Sequence, residues 1–264
     1  MMTDGSYRQD PLTPEEREEF EDDLVSFCDR ELDLLGDIRG MDVLYAGGSS
    51  LLWVEGLSQR AGEEGTVTAL DRGRVEVARE NLEGADLRAP VRLVGGSVFE
   101  PPFDLDTFDL VYSAGLFHEL DVSRWSAEEA LLSLASVARP GGRLATEDFV
   151  DTVPAVQLED ENLDAALARL YSGEELFGVG QPGRLVAMHE GVLSSVRWLV
   201  SEPQPIRHLG KIILGEEEPA SFAALPPGSA ERLRERREVL RERVRREGYT
   251  RPATLYVEGR VRGG

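Results

Sequence analysis

The sequence predicts an α/β fold. It is a doubly wound sheet, mostly parallel with an antiparallel last strand, and it carries helices on both faces. Three observations lead there. From residue 41 onward short apolar runs alternate with helix-patterned segments, the signature of βαβ units. The first of these runs, MDVLYA at 41–46, ends in Gly47-Gly48, as a strand turning sharply into a helix would. The last segment, ATLYVEGRV at 253–261, alternates in the manner of a closing strand.

The elements follow in order. Thr13-Pro14-Glu15-Glu16 predicts a helix start: Thr13 as N-cap, Pro14 in the first turn and Glu16 closing a capping box. Phe20, Leu24, Phe27 and Leu35 then lie near one face, which makes residues 1–40 a helical cap over a larger body. Within the core, 41–150, the strand at 41–46 is followed by a helix at 51–62 and a strand at 65–71 ending in an acid. A helix at 72–83, strands at 91–94 and 108–113, a helix at 126–138, a turn at Pro140-Gly141-Gly142 and a strand at 143–150 complete it. Right-handed crossovers between parallel strands then place ligand sites at the strands' carboxyl ends. Residues 151–190, with a helix at 163–171, read as a lid or substrate wall. Residues 191–264 hold strands at 194–200 and 206–214, a long charged helix that Ser229 is placed to cap, and the final strand. The whole, 1–264, reads as one domain.

Charge narrows the function. Fifty acidic residues against 29 basic ones give a net charge of −21, which opposes a nucleic-acid partner because such binding draws on cationic contacts with phosphates. The densest arginine cluster, Arg232 to Arg246, is interleaved with glutamates three and four residues away, as on a solvated helix. No apolar run approaches the ~18–20 residues that span a bilayer, and MMTDGSYRQD is not a signal peptide, so a cytoplasmic protein without a membrane anchor is expected. Cys28 is the only cysteine, and with three scattered histidines no metal site is expected. Walker, GxSxG and HExxH motifs are missing from the chain.

Four stretches carry a specific resemblance: VLYAGGSS (43–50), TALDRGRVEVARENL (68–82), PPFDLDTFDLVYSAGLFHEL (101–120) and ARPGGRL (138–144). In this order and spacing they resemble the core of the class I, Rossmann-like S-adenosylmethionine (SAM)-dependent methyltransferases, in the group that includes small-molecule and quinone methyltransferases. The resemblance implies SAM as cofactor and S-adenosylhomocysteine (SAH) as product. It implies that Asp71, ending the second strand, accepts the ribose hydroxyls, a task suited to a group with two acceptor oxygens and no donor. Dinucleotide-binding dehydrogenases use the same position, and a helix cap near Arg72 is the structural alternative for Asp71. Arg72 itself joins the cofactor set.

The glycine loop departs from the family pattern. Tyr45 stands where an acid is usual, Gly47 matches the first glycine, and Ser49 and Leu51 stand at the other two. Gly48 completes the loop as a cofactor contact. Ser97 and Val98 replace the usual aspartate and its neighbour at the adenine, and Ser113 and Ala114 are expected to line the methionine end. His118, Glu119, Asp148 and His189 are the candidate bases; relatives often carry a histidine at position 118 as local packing. Glu147 and Asp148 end the fifth strand, a position that often faces the acceptor, whereas Asp109 reads as a structural carboxylate. Tyr7, Tyr45 and Tyr171 are candidates for an aromatic wall.

The sequence therefore points to methyl transfer onto an O, N, S or C atom of a small molecule. Such transfer chiefly needs alignment and exclusion of water, with a base only where the nucleophile holds a proton. Two other readings compete: a non-catalytic binding protein on the same fold, motivated by Tyr45, Ser49, Leu51 and Ser97, and a methyltransferase acting on RNA or protein. Oligomeric state is left open, with a homodimer among the alternatives.

Overall fold

The computed structural model describes residues 12–48, 50–73, 75–152, 156–213, 220–249 and 251–263. A helix α1 (Pro14–Asp33) precedes β1 (Asp42–Ala46), α2 (Leu51–Ala61), β2 (Thr66–Asp71), α3 (Val75–Leu82), β3 (Val91–Gly95) and β4 (Phe108–Ala114). Then come α4 (Ala127–Val137), β5 (Ala138–Val150), α5 (Val156–Tyr171), α6 (Pro182–Val192), β6 (Leu193–Ser201), the short α7 (Leu209–Ile213), α8 (Pro227–Glu247) and β7 (Ala253–Val261). The seven strands form one sheet in the order β3-β2-β1-β4-β5-β7-β6. β1 to β5 are parallel, and β7 runs antiparallel between β5 and β6.

Alternation within the strands divides the core. Leu44, Val111, Leu144 and Leu255 pack toward α4 and α6, against Leu131 and Leu185. Their neighbours Val43, Leu110, Ala145 and Tyr256 pack on the other face, against Leu32 of α1 and Leu57 of α2. Side chains one apart on a strand face opposite layers, so these strands, apolar on both faces, are the buried kind that helices cover on each side. α1 begins as its sequence dictates: the Thr13 hydroxyl accepts the Glu16 N–H and the Glu16 carboxylate accepts the Thr13 N–H. Asp109 is structural. It accepts the Asp42 N–H at 2.9 Å and pairs with Arg139, tying the amino ends of β1 and β4 to the start of β5.

Three expectations are corrected. Of the segment 206–214, the described residues 206–213 form no strand: Ile206 and Leu209 are buried with Phe222 and α8, and the backbone turns into α7. Ser229 does not cap α8, which starts at Pro227 after Pro226 without a side-chain cap; the Ser229 hydroxyl accepts from Arg232 instead. The Pro140-Gly141-Gly142 turn does not precede β5 but lies within it, where the register against β4 shifts between Phe108 and Leu110.

Candidate functional site

At the carboxyl ends of β1 and β2 the glycine loop folds tightly. Gly47 has φ +87°, and a Cβ there would run into the Leu116 side chain, so both backbone and space require glycine. The Gly47 and Gly48 N–H groups both donate to the Leu70 carbonyl, at 3.0 and 3.1 Å. Asp71 closes β2 and its Oδ1 accepts the Gly73 N–H at 2.9 Å, a turn that holds the carboxylate at the strand end. Arg72 is exposed beside it. At the end of β3, the Ser97 hydroxyl accepts the Phe99 N–H at 3.2 Å while Val98 is buried in the core layer. Ser49 lies outside the described residues, as does Tyr7.

Tyr45 is 2 % exposed. Its ring stacks on Tyr112, with centroids 6.1 Å apart, and lies 6.5 Å from Trp53. The register sets this pairing, because Tyr45 of β1 lies directly opposite Tyr112 of β4. A Cβ on Gly48 would sit 3.0 Å from the Tyr45 hydroxyl, so that hydroxyl points at the glycine loop. Burial pushes both tyrosines well above their ordinary titration range. Tyr171, by contrast, ends α5 with 59 % of its surface exposed and forms no aromatic wall among the described residues.

Two histidines flank the ends of β4 and β5 from the opposite layer. Asp148 accepts the N–H groups of Phe117 (2.6 Å), His118 (3.2 Å) and Phe149 (2.8 Å), and its Oδ1 lies 2.7 Å from His118 Nδ1. His118 Nε2 lies 3.7 Å from Glu119 and 3.9 Å from Glu161 of α5. Burial disfavours a charged His118, but Asp148, Glu161 and Glu119 outweigh it and raise the imidazole to about 9. His189 is 0 % exposed. Its Nδ1 lies 2.7 Å from the Leu185 carbonyl and its Nε2 lies 2.9 Å from the Thr146 hydroxyl, which is in turn 3.4 Å from Ser113. Burial lowers His189 to about 4, so this imidazole is neutral and both its nitrogens are engaged inside the fold. Ala114 is partly buried at the end of β4, in register with Glu147.

Between these groups, under α1 and α5, lies a set of buried polar residues, of which sequence reasoning singled out Glu147 and missed Glu31 and Arg251. Glu147 is 3 % exposed, and its carboxyl makes no hydrogen bond among the described residues. Burial, reinforced by Glu31, holds it well above the usual carboxylate range. Glu31 of α1 is 2 % exposed and accepts from the Thr254 hydroxyl at 3.3 Å. Arg251, before β7, is 8 % exposed and lies between two rings, its guanidinium carbon 4.4 Å from the Phe27 centroid and 4.8 Å from that of Phe149. One signal for Glu31 was in the sequence. It falls on the stripe of Phe20, Leu24, Phe27 and Leu35, a carboxylate where the helical period asks for an apolar residue. Arg251, followed by Pro252, follows no pattern that marks it.

Residues 44–146 match the family model described as a methyltransferase domain. This stretch resembles a methyltransferase domain. The ubiquinone/menaquinone biosynthesis C-methyltransferase UbiE of Idiomarina loihiensis is 36 % identical over 143 residues, which are 50 % of this chain and 55 % of that protein. The chain thus spans about half the length of the curated relative it matches. Among solved structures, a cyclopropane-fatty-acyl-phospholipid synthase-like protein from Lactobacillus casei superposes with a TM-score of 0.65 at 14 % identity, covering 94 % of this chain and 93 % of that one. A SAM dependent methyltransferase from Aquifex aeolicus superposes with a TM-score of 0.51 at 18 % identity, covering 89 % of each chain. At such identities the likeness is one of fold. Within this stretch, the carboxylate at the end of β2 fits the ribose end of the expected cofactor site, and the turn at Gly47 leaves no room for a Cβ. At the methionine end the fit changes, with a buried tyrosine hydroxyl in place of an acid.

Proposed function

We propose that this chain transfers a methyl group from SAM to the O, N, S or C atom of a small acceptor, releasing SAH. The observation that carries this reading is Asp71, held at the carboxyl end of β2 beside the Gly47 turn within the stretch that matches the methyltransferase family model. When bound, SAM supplies a methyl group on a sulfonium, which passes to the nucleophile as the thioether leaves. In this reading Asp71 holds the ribose hydroxyls, and Arg72, Ser97 and Val98 border the adenine. Tyr45, Gly47 and Gly48 border the methionine end, with Ser113 and Ala114 beneath the reacting centre.

The chain's own part is orientation, exclusion of water and proton handling. α1 and the helices of 151–190 form the cover. His118, raised to about 9, already carries its proton at neutral pH, so together with Asp148 it pins the loop after β4 rather than accepting a proton. His189 has both nitrogens engaged below the sheet end. The half-exposed Glu119 is the carboxylate assigned to take a proton from an acceptor that holds one, whereas burial keeps Glu147 toward its neutral form, a hydrogen-bond donor. No helix among the described residues is long and apolar enough to cross a membrane. The reading places the reaction in the cytoplasm, without a nucleic-acid partner, and admits a homodimer.

Calorimetric titration with SAM and SAH tests it. Micromolar binding of both is expected; no heat at millimolar ligand would sink the proposal. That second result would favour a non-catalytic binding protein, a reading motivated by the Gly47 and Gly48 N–H groups, which both point at Leu70 O.

A further inference from the structure

Buried polar atoms in folded proteins almost always have hydrogen-bond partners, and one that lacks them calls for an explanation such as a ligand or ordered water. Among the described residues, four buried side-chain atoms lack a partner: Glu31 Oε2, Tyr112 Oη, Gln157 Oε1 and Arg251 Nε. They come from one neighbourhood. Glu31 and Glu147 lie within charge-interaction range of each other and of Arg251, and both act on Tyr112. Gln157 Nε2 donates to Glu161 at 2.9 Å, and Glu161 in turn reaches His118 and the field of Arg251. α1, α5, β4 and the segment before β7 thus each carry a buried polar atom without a partner among the described residues, near the buried Glu147 of β5.

The chemistry of the orphans defines a complement. The Arg251 guanidinium remains charged at any ordinary pH. It is held between the faces of Phe27 and Phe149, and its Nε has no partner among the described residues. Its two nearest carboxylates, Glu31 and Glu147, are pushed toward their neutral forms, chiefly by burial. What Arg251 lacks is an anionic oxygen. Gln157 Oε1 lacks a donor, and Tyr112 Oη can serve as either. We propose that this buried polar cluster is the acceptor site, and that Arg251 binds an acidic oxygen, carboxylate or phenolate, on a small acceptor that also carries a hydroxyl or amine donor. The proposal rests on the methyl-transfer reading for the word acceptor, but the anion site stands on the cluster itself. Glu147, in register with Ala114 at the end of β4, is buried beside the same groups, and its neutral carboxyl can donate a hydrogen bond to the bound molecule.

The test uses the full chain and three probes: salicylate as the carboxylate source, 4-nitrocatechol as the phenolate source, and salicylamide as the neutral isostere. Binding is read by calorimetry and by the shift of the thermal midpoint. Wild type is expected to bind at least one anion at least about tenfold more tightly than salicylamide, as a charge-assisted contact requires. Arg251→Met is expected to lose that preference and Arg251→Lys to restore part of it. Because an unpaired buried cation costs stability, Arg251→Met is also expected to melt no lower than wild type without ligand. Equal binding of salicylamide and the anions, or unchanged anion binding by Arg251→Met, overturns the site. Failure of both anions to bind wild type also overturns it and leaves the orphans to ordered water. SAH titration of the same variants keeps the two readings apart. Lost SAH binding with intact anion binding removes methyl transfer alone; intact SAH binding without anion preference removes this inference alone.

Discussion

The His118 imidazole and the Asp148 carboxylate meet at 2.7 Å, and the same carboxylate takes the backbone N–H groups of Phe117 and His118. One side chain from the end of β5 therefore fixes both the path of the loop after β4 and the ring that the loop carries. The pair has a signed pH signature. His118 is raised from 6.5 to about 9, so its contribution is complete below pH 6.5 and is lost as pH rises through 9. The stake is on the order of 3 kcal/mol at most. Urea unfolding between pH 6 and 10 is expected to show this alkaline decline in wild type and a flatter profile in His118→Gln. Parallel profiles would deny the ion pair.

His189 has the opposite sign. Burial lowers it from 6.5 to about 4, so its neutral form favours the native state above pH 6.5 and the advantage disappears as pH falls through 4. His189→Gln keeps a donor and an acceptor and removes the titration. Its stability is expected to fall less steeply than wild type between pH 6.5 and 4, by up to about 3 kcal/mol across that window. An acid limb of equal slope in both proteins would place the loss in other groups.

Gly47 admits no side chain for two separate reasons, its φ of +87° and the Leu116 side chain that occupies the space of its Cβ. Gly47→Ala is expected to cost about 2–4 kcal/mol, the sum of a strained backbone and an overpacked contact. Leu116→Ala introduced beside it relieves only the second cost. Chemical denaturation of the two single variants and the double variant should therefore show a favourable coupling of about 1 kcal/mol or more. Strict additivity would mean that the backbone alone sets the requirement.

Asp71→Ala is expected to weaken SAH binding by at least about 1.5 kcal/mol, because a charge-assisted hydrogen bond is lost. Since the Asp71 carboxylate also closes the Gly73 turn at 2.9 Å, Asp71→Asn is the necessary companion: it keeps an acceptor for the turn and removes the charge. Unchanged affinity in both variants would show that the ribose is held elsewhere.

The sheet was legible because its strands carry continuous apolar runs with glycine breaks, and that pattern survives any detail of packing. The capping box at Thr13 and Glu16 was legible because it is a purely local arrangement. The segment 206–214 misled because a short apolar run does not distinguish a strand from a buried helical turn; Ile206 and Leu209 are apolar to pack against α8. Ser229 misled because the two prolines before it, Pro226 and Pro227, start the helix earlier without a side-chain cap. At the site, the strand-end positions of Asp71 and Asp148 followed from chain order. The buried polar cluster did not, because Glu31, Tyr112 and Arg251 come from distant parts of the chain and only the tertiary fold brings them together. Glu31 was the exception in principle, a carboxylate on an apolar stripe.

Tyr45 separates packing from ligand contact most cleanly. Its ring belongs to the layer of Trp53 and Tyr112, so replacing it with a small residue would open a cavity and cost several kcal/mol whatever the ring's role. Tyr45→Phe keeps the ring and removes only the hydroxyl, which points at Gly48 and makes no hydrogen bond among the described residues. Stability is therefore expected to stay within about 1 kcal/mol of wild type, since no protein partner is lost. If the hydroxyl meets the methionine end as proposed, SAH affinity is expected to fall by about two- to tenfold, the equivalent of one neutral hydrogen bond. Calorimetry on Tyr45→Phe decides between the two roles: a fall assigns the hydroxyl to the cofactor, and an unchanged constant reduces Tyr45 to a ring that fills the space of a lost carboxylate.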